Sequence, residues 1–253
     1  MADHRPSLQR LLGSTVTVHI DRPLGTAHPD YPNLIYPIHY GFVPQLIGGD
    51  GKMQDAYLMG VNESVSEFTG TVIGIVRRYN DREDKLVVAP SDARFHQAEI
   101  ADAVYFQEQF FRHRIIPLYH RSCGAIIYRK NRGCIRYLLL FQRGSHTWSF
   151  PKGHMERLES EECTALREVR EEVGMKVYLR SGFRGEASYS VGNGEKTVVL
   201  FLAKATTPPI MSAHEVLASK WVTLSEAETL LHPSYIQVLQ DAEQYLLQHN
   251  ETR

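Results

Sequence analysis

Between Thr15 and Pro90 the apolar positions fall in short runs: TVTVHI (Thr15 to Ile20), DAYLMGV (Asp55 to Val61), GTVIGIVRRY (Gly70 to Tyr79) and KLVVAP (Lys85 to Pro90). Clusters of Gly, Pro, Asn and Asp separate them, and runs of this length between turn residues predict β-strands. The stretch Glu99 to Arg114 differs: Ile100, Ala103, Val104, Phe106 and Phe110 recur at the helical period and predict a helix. Short strands closed by one helix predict a small β-barrel or twisted sheet over residues 1–117.

The pattern changes after IIPLYH. CGAIIYRKNRGCIRYLLLFQRG predicts two strands about the turn KNRG. KVYLRSGFRGEASYSV and EKTVVLFLAKA predict further strands, and SKWVTL follows. A last helix is expected from about Ser234 to Gln248, with Ile236, Val238, Leu239, Ala242, Tyr245 and Leu246 on its apolar side. The chain is therefore expected to be a two-domain α+β protein, divided near residues 115–120 into 1–117 and 118–253.

Composition narrows the partners. Of 253 residues 43% are hydrophobic and 23% charged, with a net charge of -1, so there is no basic excess to bind nucleic acid and the expected ligand is small. The three cysteines, Cys123, Cys134 and Cys163, form no CxxC pair, which excludes a zinc ribbon and predicts thiols in a reducing compartment. No run approaches the ~18 apolar residues of a membrane span, and no secretory stretch opens the chain; a cytoplasmic location without membrane partners is expected.

The segment SFPKGHMERLESEECTALREVREEVGM (Ser149 to Met175) carries the candidate chemistry. Nothing between Ser160 and Val173 breaks a helix. On that helix Leu166, Val169 and Val173 are expected to share a buried face. Glu168, Glu171 and Glu172 fall on the opposite side within about 100° of arc, with Glu161 two turns earlier and Arg167 and Arg170 pointing away. A solvated face gains roughly 0.2–0.5 kcal/mol per pair by interleaving cations at i+4. This stripe sets like charges together, which makes sense when Mg²⁺ or Mn²⁺ supplies the positive charge.

Gly153, five residues, Glu159, seven residues and then REVREEVGM, with Arg167, Glu168, Val169, Glu171, Glu172, Gly174 and Met175, resembles the signature of the Nudix hydrolases. The resemblance spans roughly 118–250 and implies an α/β/α sandwich that hydrolyses a nucleoside diphosphate linked to another group. It implies metal binding by Glu168, Glu171 and Glu172. Gly153 permits a sharp loop whose backbone oxygens approach the metal, and Gly174 a left-handed cap; an Arg167–Glu159 pair would fix the loop on the helix. The proton acceptor would be Glu171 or a later glutamate, here Glu215. WSFPKGHME, EKTVVLFLAKA and HEVLASKWVTL are similar to the bis(5'-nucleosyl)-tetraphosphatase branch, which cleaves diadenosine polyphosphates. There Lys152, Arg143 and Lys196 would meet phosphate and Tyr189 a base. The alternatives are a nucleoside triphosphate pyrophosphohydrolase coupled to pyrophosphate hydrolysis, and a nucleotide sensor without turnover.

The first 115 residues resemble the soluble inorganic pyrophosphatases in YPIHYGFVPQ, GDGKMQDAYLMG, NDREDKLVVAP and FFRHR. The resemblance implies a small OB-like barrel, metal ligands at Asp50, Asp55, Asp81 and Asp84, and phosphate contacts from Tyr40 or Lys85. Lys52 stands where that family carries another aspartate, and His113 and Arg114 replace its Tyr-Lys pair, departures expected of a degenerate site.

Overall fold

In the computed structural model, β1 (Thr15–Arg22), β2 (His39–Ile47), β3 (Met53–Leu58), β4 (Glu67–Arg78) and β5 (Lys85–Ala89) pair in the order β1-β2-β3-β5-β4. β4 returns to β1 from Thr15↔Thr71 to His19↔Glu67, closing five strands into a barrel without free edges. Residues 8–131, 133–212 and 214–249 are described. They divide into two units: residues through His120 with Ser190–Glu195, and Arg121–Tyr189 with the residues from Lys196 onward.

Alternation builds the first unit. Val18, Leu58, Val72, Ile75, Leu86 and Val88 fill the barrel. Their neighbours Tyr57, Ile73 and Val87 point outward, where Ile100 and Val104 of α1 (Gln97–Glu108) cover them. The helix expected through Arg114 stops at Glu108. Residues beyond it form β6 (His113–Pro117), which pairs with β4 from Arg78↔His113 to Gly74↔Pro117. Sheet pairing overrides the helical period here: the Arg112 N–H donates to Asn80 Oδ1 at 2.9 Å, and Phe110 is left 68% exposed.

The second unit holds most of β7 (Tyr119–Asn131), then β8 (Cys134–Gln142), β9 (Trp148–Ser149), β10 (Lys152–His154), α2 (Glu161–Val173), most of β11 (Tyr178–Val191) and of β12 (Gly194–Lys204), β13 (Val216–Val222), α3 (Leu224–Leu230) and α4 (Ile236–Gln248). Its sheet runs β11-β12-β7-β8-β13, with β9 on β8 and β10 on β7. Asn131 pairs with Cys134, which puts the hairpin turn at KNRG; Arg132 lies outside the described residues.

Period-two alternation again decides the layers. Ala125, Ile127, Leu138 and Leu140 pack with Val169 and Val173 of α2. Ile126, Tyr128, Leu139 and Leu200 pack with Val238, Leu239 and Ala242 of α4. The sheet is thus sandwiched between α2 and the pair α3 and α4, the expected α/β/α arrangement. Among the described residues no helix is long and apolar enough to cross a membrane.

Candidate active site

Ser160 opens α2 by accepting the Cys163 N–H at 3.2 Å, and Gly174 closes it with a left-handed φ of +61°. The helix stands where the sequence predicts it, but its faces differ. The buried line is Thr164, Ala165, Glu168, Val169, Glu172 and Val173, while Leu166 is 39% exposed. Glu172 follows Val169 by three residues, about 60° around the helix. Glu168 and Glu172 therefore border the core instead of opposing it.

Two buried carboxylates need partners, and each has them. Gln142 Nε2 donates to Glu172 Oε1 at 2.9 Å and the Lys152 N–H donates to its Oε2 at 3.0 Å. Burial nonetheless pushes the Glu172 carboxyl up to about 7. Burial also raises Glu168, whose Oε1 accepts from Arg167 Nη1 at 2.7 Å; Arg167 opposes that rise, and the charges of Glu171 and Glu215 add to it.

Gly153 faces Glu168 directly. A Cβ at Gly153 would stand 2.1 Å from the Glu168 carboxylate, so no side chain fits. On the neighbouring strand a Cβ at Gly124 would come within 2.0 Å of the Pro151 carbonyl. These two glycines let β10 lie flat between β7 and the carboxylates.

Arg167 does not point away from the stripe. Its Nε and Nη2 grip Glu159 at 2.7 and 2.8 Å, its Nη2 also reaches the His154 carbonyl at 2.9 Å, and its Nη1 spans Glu168 and Glu171, the latter at 3.0 Å. Hydrogen bonds from Arg167, ahead of other causes, hold the Glu159 carboxyl down at about 2. A long side chain reaches back over the preceding turn, so angular position alone misplaced this guanidinium. It ties the 154–159 loop to the helix and is itself a counter-charge for the row.

A cleft of about 670 Å³ opens beside Glu172, lined among others by Lys152, Lys196, Tyr189, His232 and Trp148. Burial lowers the Lys152 ammonium's pKa, against the pull of Glu172 and Glu168. Burial, then the charge of Lys152, brings Lys196 down to about 8. Two half-buried ammoniums that repel each other suit a polyanion. Tyr189 forms the aromatic wall, its ring 5.1 Å from His232 and its hydroxyl 3.4 Å from that of Tyr235. Arg143 is exposed and outside the lining; its N–H donates to the Glu215 carbonyl at 2.8 Å, which brings Glu215 to the end of β8. Gln142, Gly124 and His232 had no signal in the sequence, because each acts through a partner distant in the chain; Trp148 was visible only as the first residue of WSFPKGHME, without a role.

The barrel's aspartates stand apart. Asp50 is exposed and accepts the Lys52 N–H at 3.0 Å, closing a turn. Asp55 accepts from Lys85 Nζ at 2.5 Å and from the Tyr40 hydroxyl. Burial alone would raise Asp55; the charge and hydrogen bond of Lys85, with the bond from Tyr40, hold it below the usual range. Asp81 pairs with Arg78 Nη1 at 2.8 Å, and Asp84 Oδ1 accepts the Arg78 N–H at 3.1 Å. The same guanidinium grips fully buried Glu108 at 2.6 and 2.9 Å. Among the described residues no three His, Cys, Asp or Glu side chains form a ready-made coordination shell, in either unit.

A NUDIX domain model matches residues 118–242. The bis(5'-nucleosyl)-tetraphosphatase [asymmetrical] of Sus scrofa is 37% identical over 139 residues, which cover 50% of this chain and 95% of the relative. The Mus musculus protein of that name is 36% identical with the same coverage. The solved binary complex of a C. elegans Ap4A hydrolase aligns at 28% identity and a TM-score of 0.49, covering 51% of this chain and 98% of that one. The chain belongs to the Nudix family, through its second unit. It is an enzyme of that class, a hydrolase.

Proposed function

We propose that the chain hydrolyses a phosphoanhydride bond in nucleoside polyphosphates, with diadenosine polyphosphates favoured. The observation that carries this reading is the cleft in which buried Glu172, two half-buried ammoniums and the Tyr189 ring meet. Similarity to bis(5'-nucleosyl)-tetraphosphatases supports the substrate class.

The oxygen-only donor set fits a hard divalent cation, and the absence of a Cβ at Gly153 leaves room beside the Glu168 carboxylate, whose Oε1 is held by Arg167. Glu168, Glu171 and Glu172, with backbone oxygen near Gly153, would hold Mg²⁺ or Mn²⁺, which when bound neutralises phosphate charge and acidifies a coordinated water. Lys152 and Lys196 hold the phosphates, Tyr189 and His232 flank the base, and Glu215 or Glu171 accepts the proton of the attacking water. Arg167 and Glu159 keep the loop and helix in register throughout.

Metal dependence has a pH signature. The folded Glu172 carboxyl sits at about 7 against an ordinary 4.5, so between those values the folded protein holds a proton the unfolded chain has released. Its contribution to stability is complete below about 4.5 and is lost as pH rises through about 7. Magnesium should restore it by neutralising the carboxylate. The expected result is a larger rise in Tm on adding Mg²⁺ at pH 8 than at pH 5; equal rises would remove Glu172 from the metal site.

Identification of products tests the reaction itself. ATP plus AMP from diadenosine tetraphosphate is expected; monophosphate plus pyrophosphate from a nucleoside triphosphate would instead favour the pyrophosphohydrolase alternative. For the barrel we infer a pyrophosphatase-like scaffold whose site is degenerate. Asp81, Asp84 and Asp55 are committed to internal partners, which favours a scaffold over a second catalytic centre.

A further inference from the structure

We propose that the outer face of α2 carries a second nucleotide subsite, so that a polyphosphate with a nucleoside at each end is held at both ends. This rests on the polyphosphate reading above and deepens it. A hollow of about 670 Å³ lies on the side of α2 away from the Lys152 cleft, and Leu166, Arg170, Glu171, Met175, Lys176 and Tyr178 line it. Glu171 borders this hollow and the next residue, Glu172, borders the cleft. The carboxylate row is thus a ridge between two hollows, and a phosphate chain lying across it has space for a group at either end.

The lining matches a nucleotide. Tyr178 is 79% exposed at the start of β11, and Leu166 beside it is 39% exposed, over a floor formed by buried Met175. An uncovered phenol ring and an apolar floor offer a base a stacking surface. Arg170 and Lys176 are exposed, and among the described residues their side chains make no hydrogen bond or ion pair. Elsewhere the arginines of this unit are used internally: Arg167 binds Glu159, and Arg184 binds Glu161 at 2.7 and 3.0 Å. Two free cations beside an anionic row are placed to receive the phosphate that continues past Glu171. A mononucleotide would fill only one hollow.

Diadenosine tetraphosphate and adenosine tetraphosphate differ only in the second adenosine, so their ratio reads this subsite alone. With the full chain and Mg²⁺, kcat/KM is expected to favour diadenosine tetraphosphate by roughly ten-fold or more, the usual weight of one stacked base. Tyr178→Ala should bring that ratio close to one, whereas Arg170→Ala, which removes a phosphate contact common to both molecules, should lower kcat/KM for both and leave the ratio unchanged. Thermal unfolding should not change in either, since both side chains are exposed. A wild-type ratio near one, or a Tyr178→Ala variant that keeps the preference, overturns the subsite. Affinities for methylene-bridged forms of the same two molecules, read by calorimetry, separate the two hypotheses. A ten-fold binding preference without hydrolysis sinks the proposed reaction and supports the subsite; hydrolysis without a preference sinks the subsite alone. Failure to bind either analogue overturns both.

Discussion

Of the substitutions Glu171→Gln and Glu215→Gln, one is expected to lower turnover by at least ~10²-fold while nucleotide binding survives, the share general-base catalysis usually carries. The surroundings favour Glu215. Glu172 is fixed by Gln142 and the Lys152 N–H, Glu168 by Arg167, and Glu171 shares the same guanidinium at 3.0 Å. Glu215 is exposed, makes no side-chain hydrogen bond among the described residues, and is close enough for its charge to raise Glu168. A carboxylate without a donor keeps its lone pairs for a water proton. Mg²⁺ affinity separates the cases: Glu171→Gln should weaken metal binding together with turnover, Glu215→Gln turnover alone. If both variants turn over at the wild-type rate, neither residue is the base.

Gly153→Ala is expected to cost about 10²-fold in kcat/KM, the scale of an ångström-sized displacement of a catalytic group. The added methyl would lie 2.1 Å from the Glu168 carboxylate, inside any allowed contact. Either Glu168 swings off the row or β10 lifts away from it, carrying Lys152 with it. Both movements disorder the site without emptying the core, so Tm should fall only slightly. Activity within a few-fold of wild type would show that Glu168 needs no such clearance.

How much of this was legible in the chain depends on the range of each interaction. The helix of α2 was readable because its signals are local: Ser160 as cap, Gly174 as stop, apolar residues at helical spacing. The α3 signal was there too and went unread, since Thr223 and Glu226 form a capping box. The strand β2 was masked by Gly41 and Pro44, and the end of α1 was set by β6 pairing with β4, a contact between distant residues. The barrel aspartates illustrate the same limit. Their spacing allowed a cluster, but Arg78, brought beside Asp81, Asp84 and buried Glu108, divides them.

By itself the sequence determined the row of glutamates, through helical periodicity, and the family, through a motif contained within a few helical turns; the α/β/α layering followed only as what that resemblance implies. Only the tertiary structure decided that Glu168 and Glu172 are buried and Glu171 is not, that Arg167 serves three carboxylates, and that Gln142, Tyr189 and His232 arrive at one cleft. Burial and reach depend on which strand lies opposite and how far a long side chain extends, and neither leaves a period in the chain.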